Sequence, residues 1–246
     1  MLRSGTLLAA VGTLLTQEVT GDAVDRVCRD VVDLLAVDGV AVTVAVGPVG
    51  AGLRVLVGAS DEVARRLELA QLTAGVGPCT QATGGAATVI VDDLPAEVDR
   101  WPGLGEQLLG VPIGSVVATG LRAGSTPIGS MDVYRGDRHT WTAAEVDDIT
   151  AAARVLGLGF AAVKTLDPDR DRVGGERVDG DPSGVGIELS GEQAGLAQAT
   201  GMVMAALALS APDALSRLRG VAFVQGRLVT DAAADVVAGR VAAFLD

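Results

Sequence analysis

Few residues of this chain could carry catalytic or metal-binding chemistry. The sequence has two cysteines, Cys28 and Cys79, and a single histidine, His139. Structural zinc sites draw their ligands from clustered Cys and His residues, and a Ser-His-Asp triad needs a histidine as its base. The two cysteines are far apart in sequence and match neither a zinc-binding spacing nor a disulfide framework. We therefore expect no catalytic residue, no metal and no cofactor, in a protein that is not an enzyme.

Of the two thiols, Cys79 is the better candidate for a functional role. It follows Gly77 and Pro78 at the predicted start of a short helix, and a helix N-terminus favours the thiolate form of cysteine. A redox or ligand-binding role and a local structural role both fit this position. Cys28 lies within an apolar helical stripe, which predicts a buried and inert side chain.

Charge and aromatic content restrict the partners that the chain can bind. It carries 31 acidic and 19 basic residues, a formal net charge of −12, and only 2% of its residues are aromatic. This composition excludes nucleic-acid binding through bulk charge or aromatic stacking, but it allows a local basic face. The longest uninterrupted apolar run, residues 202–209, is too short to span a bilayer. We expect a cytoplasmic protein without a membrane partner.

A polar segment divides the chain into two parts. Residues 166–187 are rich in Gly, Pro, Asp and Arg and hold almost no side chain that a core could bury. Such a composition is typical of a solvated linker. Residues 1–165 then have the size of an ordinary domain, and residues 188–246 form a small module.

The first part alternates between helical and strand patterns. A helical stripe over residues 7–15 precedes a second helix that begins at Thr20, and a capping box at Thr142 and Glu145 begins a long returning helix. Period-two patterns predict strands at residues 40–46, 53–58, 87–91, 115–121 and 128–134, with a short helix from Ser60 to Leu69. We therefore predict an α+β fold, in which helices flank a mostly antiparallel sheet of five or six strands.

The second part is predicted to form three helices and no strand. Ser190 and Ser210 begin the first two helices in capping-box patterns, Gly226 ends the second, and Thr230 begins the third. Helices of this length bury little apolar surface on their own. We therefore expect the module to pack against the first domain or against a second chain.

Short motifs follow one another through the first part of the chain. They are Gly77-Pro78-Cys79, Val91-Asp92-Asp93-Leu94, Arg100-Trp101-Pro102, Gly114-Ser115-Val116 and Ile128–Tyr134. Their order resembles that of GAF domains, which are small-molecule sensory modules, and the similarity covers roughly residues 5–165. The resemblance implies an unknown small-molecule ligand, with Cys79 and Trp101 as candidate pocket residues. Core packing is an equally good interpretation of Trp101.

The second part carries a further set of motifs, at residues Gln198–Met204, Ser210–Arg219, Arg227-Leu228 and Asp231–Val237. Behind a GAF-like part and a polar linker, they resemble ANTAR domains, the three-helix RNA-binding modules of actinobacterial transcription antiterminators. The resemblance implies a homodimeric regulator. Its GAF domain would control whether paired ANTAR modules bind two stem-loops in a nascent leader RNA and so prevent transcription termination.

The candidate RNA-contacting residues are Arg217, Arg219 and Arg227, with Thr200 and Gly201 beside them. Arginine suits bidentate contacts to phosphate or guanine. A solvated helix face that offsets neighbouring acids is the alternative interpretation of the arginines. Gly201 fits either close packing between helices or close approach of RNA.

The charge of the module departs from the ANTAR pattern. Thr200 stands where related modules usually have lysine, and residues 188–246 contain four Arg and no Lys against six acidic residues. Each lost phosphate contact weakens RNA binding. A second hypothesis is therefore a ligand-sensing GAF protein whose degenerate ANTAR-like tail serves dimerisation or protein contact without RNA. An enzyme on the GAF fold is disfavoured, because His and Cys clusters are missing.

Overall fold

The computed structural model describes residues 20–46, 53–85, 88–166, 172–173, 176–177 and 191–240. The predicted helix over residues 7–15 and the predicted cap Ser190 lie outside these residues. In chain order the first domain contains α1 (Gly21–Leu35), β1 (Gly39–Val46), β2 (Leu53–Ala59), α2 (Glu62–Ala74), α3 (Pro78–Thr83), β3 (Thr88–Val91), α4 (Leu94–Glu97), α5 (Leu104–Gln107), β4 (Ser115–Ala123), β5 (Thr126–Arg135) and α6 (Ala143–Leu166). Two paired strands of two residues, β6 (Arg172–Val173) and β7 (Glu176–Arg177), lie within the predicted linker.

The five strands of the first domain form one antiparallel sheet in the order β2-β1-β5-β4-β3. This confirms the prediction of an antiparallel sheet flanked by helices. The register places Thr43 of β1 opposite Ser130 of β5, and Ala118 of β4 opposite Asp132 of β5. Because helices cover both faces of the sheet, each strand sends one set of alternating side chains into each of two cores.

One face of the sheet packs against α1 and α6 through aliphatic side chains. Val24, Val27, Cys28 and Val31 of α1 are buried in this layer, together with Ile149, Leu156 and Phe160 of α6. The predicted burial of Cys28 is confirmed. Glycine at position 58 lets helix α1 lie close to the sheet, since a Cβ atom there would come within 2.5 Å of Val24. We call this layer the aliphatic face.

The start of α6 is the predicted capping box. Glu145 accepts a hydrogen bond from the backbone N–H of Thr142 at 2.8 Å, and the Thr142 hydroxyl accepts one from the backbone N–H of Glu145 at 3.3 Å. The bond from the Thr142 backbone, with smaller contributions from the Thr142 hydroxyl and His139, lowers the pKa of Glu145 to about 2. The carboxylate therefore remains ionised and keeps the helix capped across the physiological pH range.

Helix α2 differs from its prediction at both ends. Its N-cap is Asp61 and not Ser60, because the Asp61 carboxylate accepts from the backbone N–H groups of Val63 and Ala64 at 2.8 and 2.9 Å. A carboxylate is favoured at the positive end of a helix. The helix also continues past Leu69 to Ala74 and ends at Gly75, whose φ is +73°.

The C-terminal part contains three helices, as predicted: α7 (Gly191–Leu207), α8 (Ala211–Val224) and α9 (Val229–Val237). Ser210 caps α8, as predicted, and Gly226 follows the end of that helix with a φ of +62°. The predicted cap Thr230 lies inside α9, and Leu228 is the N-cap instead, with its backbone N–H donating to the Asp231 carboxylate. We call α7–α9 the three-helix unit.

The three-helix unit packs against the first domain, which is one of its two predicted arrangements. Buried side chains such as Leu196, Leu218 and Val236 join the core on the α2 side of the sheet. Among the residues that the structure describes, no helix is by itself long and apolar enough to cross a membrane.

Candidate functional site

A group of polar side chains lies buried between the sheet and the helices α2 and α3. Arg54 comes from β2, Glu68 and Gln71 from α2, Cys79 from α3 and Asp132 from β5, and none is more than 6% exposed. Charged groups are almost never buried unless they are paired, and perturbed groups gather at functional sites. These residues, called the polar cluster below, form the candidate site.

Strand alternation places the charged groups of the polar cluster on the side of α2. In β2, Arg54 precedes Val55, which packs in the aliphatic face. In β5, Asp132 lies between Met131 and Val133, which also pack in the aliphatic face. Successive side chains of a strand point to opposite faces, so each strand delivers its charged residue to one core and its aliphatic residues to the other.

Gln71 connects three of the other residues of the cluster. Its Nε2 donates to Glu68 Oε1 at 3.0 Å and to Asp132 Oδ2 at 2.8 Å, and its Oε1 accepts the backbone N–H of Cys79 at 2.8 Å. A Cβ atom at Gly77, where φ is +152°, would lie 2.4 Å from Gln71 Oε1. Glycine at this position therefore lets the Gln71 amide approach the start of α3.

Arg54 holds the thiol of Cys79. Its Nη1 donates to Cys79 Sγ at 2.8 Å. Burial raises the pKa of Cys79 well above its ordinary value, although the charge of Arg54 opposes the shift. Cys79 does lie in the first turn of α3, as the sequence predicts, but burial outweighs the helix terminus and the side chain is a neutral thiol at pH 7.

The two carboxyl groups of the cluster interact directly. Burial raises the pKa of Glu68 well above its ordinary value, and the adjacent Asp132 carboxyl raises it further. Burial also raises the pKa of Asp132, against the lowering effect of the neighbouring Glu68 and of the hydrogen bond from Gln71. Neighbouring buried carboxyls cannot both ionise cheaply, so the pair keeps one proton and one negative charge, which balances Arg54.

A small cavity adjoins the polar cluster. Its volume is about 10 Å³, and its walls are Thr43, Arg54, Leu56, Glu68 and Leu72. The hydroxyls of Thr43 and Ser130 hydrogen-bond to each other at 2.8 Å on the same face of the sheet. A cavity of about 10 Å³ has room for at most one ordered water.

The cluster also offers three possible metal ligands. One ligand atom each from Glu68, Cys79 and Asp132 lies within 4.8 Å of the other two. The guanidinium of Arg54, however, donates to the thiol and places a positive charge where a cation would have to bind. The arrangement therefore favours a proton shared between acids over a metal ion.

The two ligand-pocket residues predicted from the sequence lie in different surroundings. Cys79 belongs to the polar cluster. Trp101, which follows α4 in the chain, packs in the apolar core on the α2 side of the sheet. The guanidinium carbon of Arg100 lies 4.6 Å from the centroid of the Trp101 ring system, and the Trp101 indole N–H is buried without a hydrogen-bond partner in the described part of the chain. A second pocket nearby is aliphatic, with walls that include Leu94, Val98, Leu108, Leu109, Val111 and Ile113.

Thr200 and Gly201 differ in exposure on α7. Thr200 is buried, and its hydroxyl donates to the backbone oxygen of Leu196 at 2.7 Å. Gly201 is exposed, and a Cβ atom there would meet no atom within 4 Å. Close helix packing, one of the two interpretations of Gly201, therefore does not apply in this arrangement.

The three arginines predicted to contact RNA all interact within the protein. Arg219 Nε donates to the backbone oxygen of Leu72 in α2 at 2.8 Å. Arg227 Nη1 donates to Asp235 Oδ2 at 2.7 Å. Arg217 is half-buried on α8 and also takes part in an interaction within the chain. Arg219 is therefore held against α2, and Arg227 is paired within the three-helix unit.

Sequence reasoning missed four of the five residues of the polar cluster. A signal for one of them was present: in the segment Ile128–Tyr134, Ser130 and Asp132 alternate with apolar residues in a strand predicted to belong to a sheet flanked by helices. Polar residues in that phase must be buried and therefore need partners. Arg54, Glu68 and Gln71 carry no comparable local signal, because charged and other polar residues are ordinary in short strands and helices.

A model of the GAF domain family matches residues 20–160, which is more than half of the 246 residues. The match ends before the three-helix unit, for which no ANTAR match is found. No match is found among curated proteins.

Solved structures resemble the first domain at low identity. The GAF domain of an Acinetobacter phosphoenolpyruvate-protein phosphotransferase is 13% identical, with a TM-score of 0.48 and coverage of 67% of this chain and 95% of that one. A free methionine-R-sulfoxide reductase from Neisseria meningitidis is 15% identical, with a TM-score of 0.48 and coverage of 65% and 89%. A phycoerythrobilin-bound GAF domain of a cyanobacterial phytochrome is 12% identical, with a TM-score of 0.45 and coverage of 66% and 96%. These values are too low for any function to be carried over.

Proposed function

Since the chain belongs to the GAF domain family, we propose that it is a signalling regulator whose GAF domain controls the three-helix unit as its output. The input is a small molecule or a chemical state that alters the polar cluster. The output is binding of an ANTAR-type module to paired stem-loops in nascent leader RNA, which prevents transcription termination. In this proposal the protein is a non-enzymatic homodimer of the cytoplasm, where such transcripts are made.

The observation that carries the proposal is the double role of α2. Glu68 and Gln71 of this helix belong to the polar cluster. Leu72 and Thr73, which follow at once, accept hydrogen bonds from the three-helix unit. A helix moves as a rigid element, so a change at the cluster that shifts α2 also shifts the contacts that hold the output.

The surroundings of Cys79 support a sensory role over a catalytic one. A catalytic thiol needs a lowered pKa and access to substrate. Cys79 is 1% exposed, and burial raises its pKa. A buried cluster near charge balance instead responds to a gained or lost charge, because such a change is expensive in a medium of low dielectric constant.

RNA binding by the purified full-length chain tests the proposal. We would titrate a two-stem-loop leader RNA, a one-loop control and a scrambled RNA over a salt series, with the oligomeric state measured in parallel. The matched variant is R217A/R227A, which leaves the Arg219 contact to α2 intact. We expect binding that needs both loops, weakens with salt, and drops by about tenfold or more in the variant, as expected when phosphate contacts are lost.

A second candidate output is contact with another protein. It is favoured by the pairing of Arg227 with Asp235 and by the apolar side chains Phe223 and Val224, which are exposed at the end of α8. Binding to the two-loop RNA no stronger than to the scrambled RNA, in a folded dimer, would overturn the RNA proposal in favour of this one. A protein that stays monomeric at micromolar concentration would contradict the homodimer.

A further inference from the structure

The surface of the GAF domain that meets the three-helix unit combines a shared apolar core with polar contacts. Arg219 Nε donates to Leu72 O at 2.8 Å, and the backbone N–H of Val229 donates to Thr73 Oγ1 at 3.0 Å. At a third point the ring of Phe223 lies over Gly103, where a Cβ atom would come within 3.0 Å of that ring. Burial of apolar area holds the two parts together, and these few contacts add contributions that single substitutions can remove.

Thr73 satisfies a donor that the first turn of α9 leaves open. Val229 is the first residue of α9, and the first N–H groups of a helix have no partner within it. Both Val229 and Thr73 are buried, and the Thr73 hydroxyl also donates to Leu69 O at 2.7 Å. In the docked state the backbone N–H of Val229 is buried, and its acceptor is the Thr73 hydroxyl. When the three-helix unit leaves this surface, water can take the place of each partner.

Arg219 is committed to the interface although it is a candidate RNA contact. Burial, and then the charge of nearby Arg54, lower its pKa to about 10, so the side chain stays charged at pH 7. Its hydrogen-bond acceptor, Leu72, also lines the cavity beside Arg54 and Glu68. A guanidinium held at this depth cannot reach an RNA phosphate at the same time.

We propose that docking on the GAF domain and binding of RNA are alternative states of the three-helix unit, and that Arg219 is the residue for which the two states compete. The inference rests on the proposed function, since it assumes that the unit binds RNA. Apparent affinity equals intrinsic affinity multiplied by the fraction of competent molecules. RNA should therefore bind the wild-type chain more weakly than a chain in which docking is impaired and the RNA-contacting residues are intact.

The cluster beneath Arg219 gives the docked state its sensitivity to a signal. Arg54 and Arg219 are like charges, and the negative charge shared by Glu68 and Asp132 offsets Arg54. A ligand or modification that neutralises this charge would leave the two cations opposed and weaken docking. One that adds negative charge would strengthen it.

The variant T73V tests the inference without touching a candidate RNA contact. It keeps the shape of the side chain but removes the acceptor for Val229. The matched control is T88V, which removes the hydroxyl that pairs with Thr119 at 3.2 Å in the sheet. Hydrogen exchange of the full-length chain reports docking through the amides of α8 and α9, and titration with the two-stem-loop RNA reports affinity.

We expect T73V to exchange faster in α8 and α9 and to bind RNA about tenfold more tightly. The reason is that leaving the buried Val229 N–H without an acceptor costs roughly the free energy of a tenfold change in the docking equilibrium. T88V should change neither measurement. F223A, a change at a surface residue, should act in the same direction and replaces T73V if that variant does not fold. Unchanged exchange in both variants would overturn the inference.

These two measurements distinguish a failure of the competition from a failure of the proposed RNA function. Faster exchange with unchanged affinity, in a wild-type chain that binds RNA, would overturn the competition while the RNA function stands. Faster exchange with no specific RNA binding by any form would overturn the RNA function, and the competition with it.

Discussion

The two faces of the sheet bury one cysteine each, in opposite chemical surroundings. Cys28 of α1 lies among the valines of the aliphatic face, and Cys79 of α3 lies against Arg54 in the polar cluster. Burial raises the pKa of both thiols. Neither thiol is therefore reactive by ionisation, and the difference between the faces lies in what surrounds the sulfur.

That difference separates a scaffold from a responsive region. The aliphatic face is stabilised by burial of apolar area, which does not depend on pH or on ligands of moderate concentration. The polar cluster depends on the balance of one cation, one shared negative charge and their hydrogen bonds. Only the polar cluster can be changed by a single proton or small ligand, and its helix α2 is also the one that contacts the three-helix unit.

Among the variants that test this contrast, we expect the largest effect on stability from R54M. This substitution removes the cation of the polar cluster but keeps much of the side-chain volume. We expect a loss of about 3 kcal/mol in the free energy of unfolding at pH 7, because one partner of a buried charge pair is left uncompensated. The loss should shrink at pH 5, where Glu68 and Asp132 are more readily both protonated. Urea denaturation at both pH values measures it.

The matched control is R66M, since Arg66 is a half-buried arginine of α2 that donates to the backbone oxygen of Gln107 at 3.4 Å. This variant should lose less than about 1 kcal/mol, and equally at both pH values. Equal losses in the two variants would mean that Arg54 acts through packing and not through charge.

A smaller effect is expected for E68Q and its dependence on pH. The pKa of Glu68 is raised in the folded protein by burial and by Asp132. The folded state thus holds this proton more tightly than the unfolded chain. The resulting stabilisation is complete below the unfolded pKa of about 4.3 and is lost as pH rises through the folded value, by up to about 1.4 kcal/mol per pH unit.

Glutamine cannot ionise, so E68Q should lack this loss and become more stable relative to the wild type as pH rises from 4 to 8. Denaturation at a series of pH values measures the difference. A difference that stays constant over this range would show that Glu68 is ionised in the folded protein and that the proton is not shared.

Local chemistry is what made the fold predictable from the sequence. The capping boxes at Thr142 and Ser210 join residues three positions apart, and strand patterns repeat every two residues, so both are visible in short windows. The start of α2 was misplaced because Ser60 and Asp61 can both cap a helix. Which of them does so depends on the hydroxyl of Ser60, which accepts from Val40 in another element.

The candidate site was less predictable because its partners are distant in sequence. Arg54, Cys79 and Asp132 lie on three elements, and no short window contains two of them. Cys79 was found through its own helix start, but the expected thiolate required knowledge of how deeply α3 is buried. The same limit applies to Arg219, whose position on a helix suggested a surface and whose contact is with α2.

The smallest predicted effect compares the two cysteines directly, through C28S and C79S. In C28S the serine hydroxyl enters the aliphatic face, where its nearest acceptors are carbonyls of its own helix, and we expect a loss of about 2 kcal/mol. In C79S the hydroxyl can accept from Arg54, so the expected loss is about 0.5 kcal/mol. Both losses should be the same at pH 5 and pH 8, because serine does not ionise and the raised pKa of each thiol keeps it neutral over that range. Urea denaturation of the two variants gives the comparison. A larger loss in C79S than in C28S would mean that Arg54 requires the sulfur itself, and the polar cluster would then be tuned to a thiol and not merely to a hydrogen-bond acceptor.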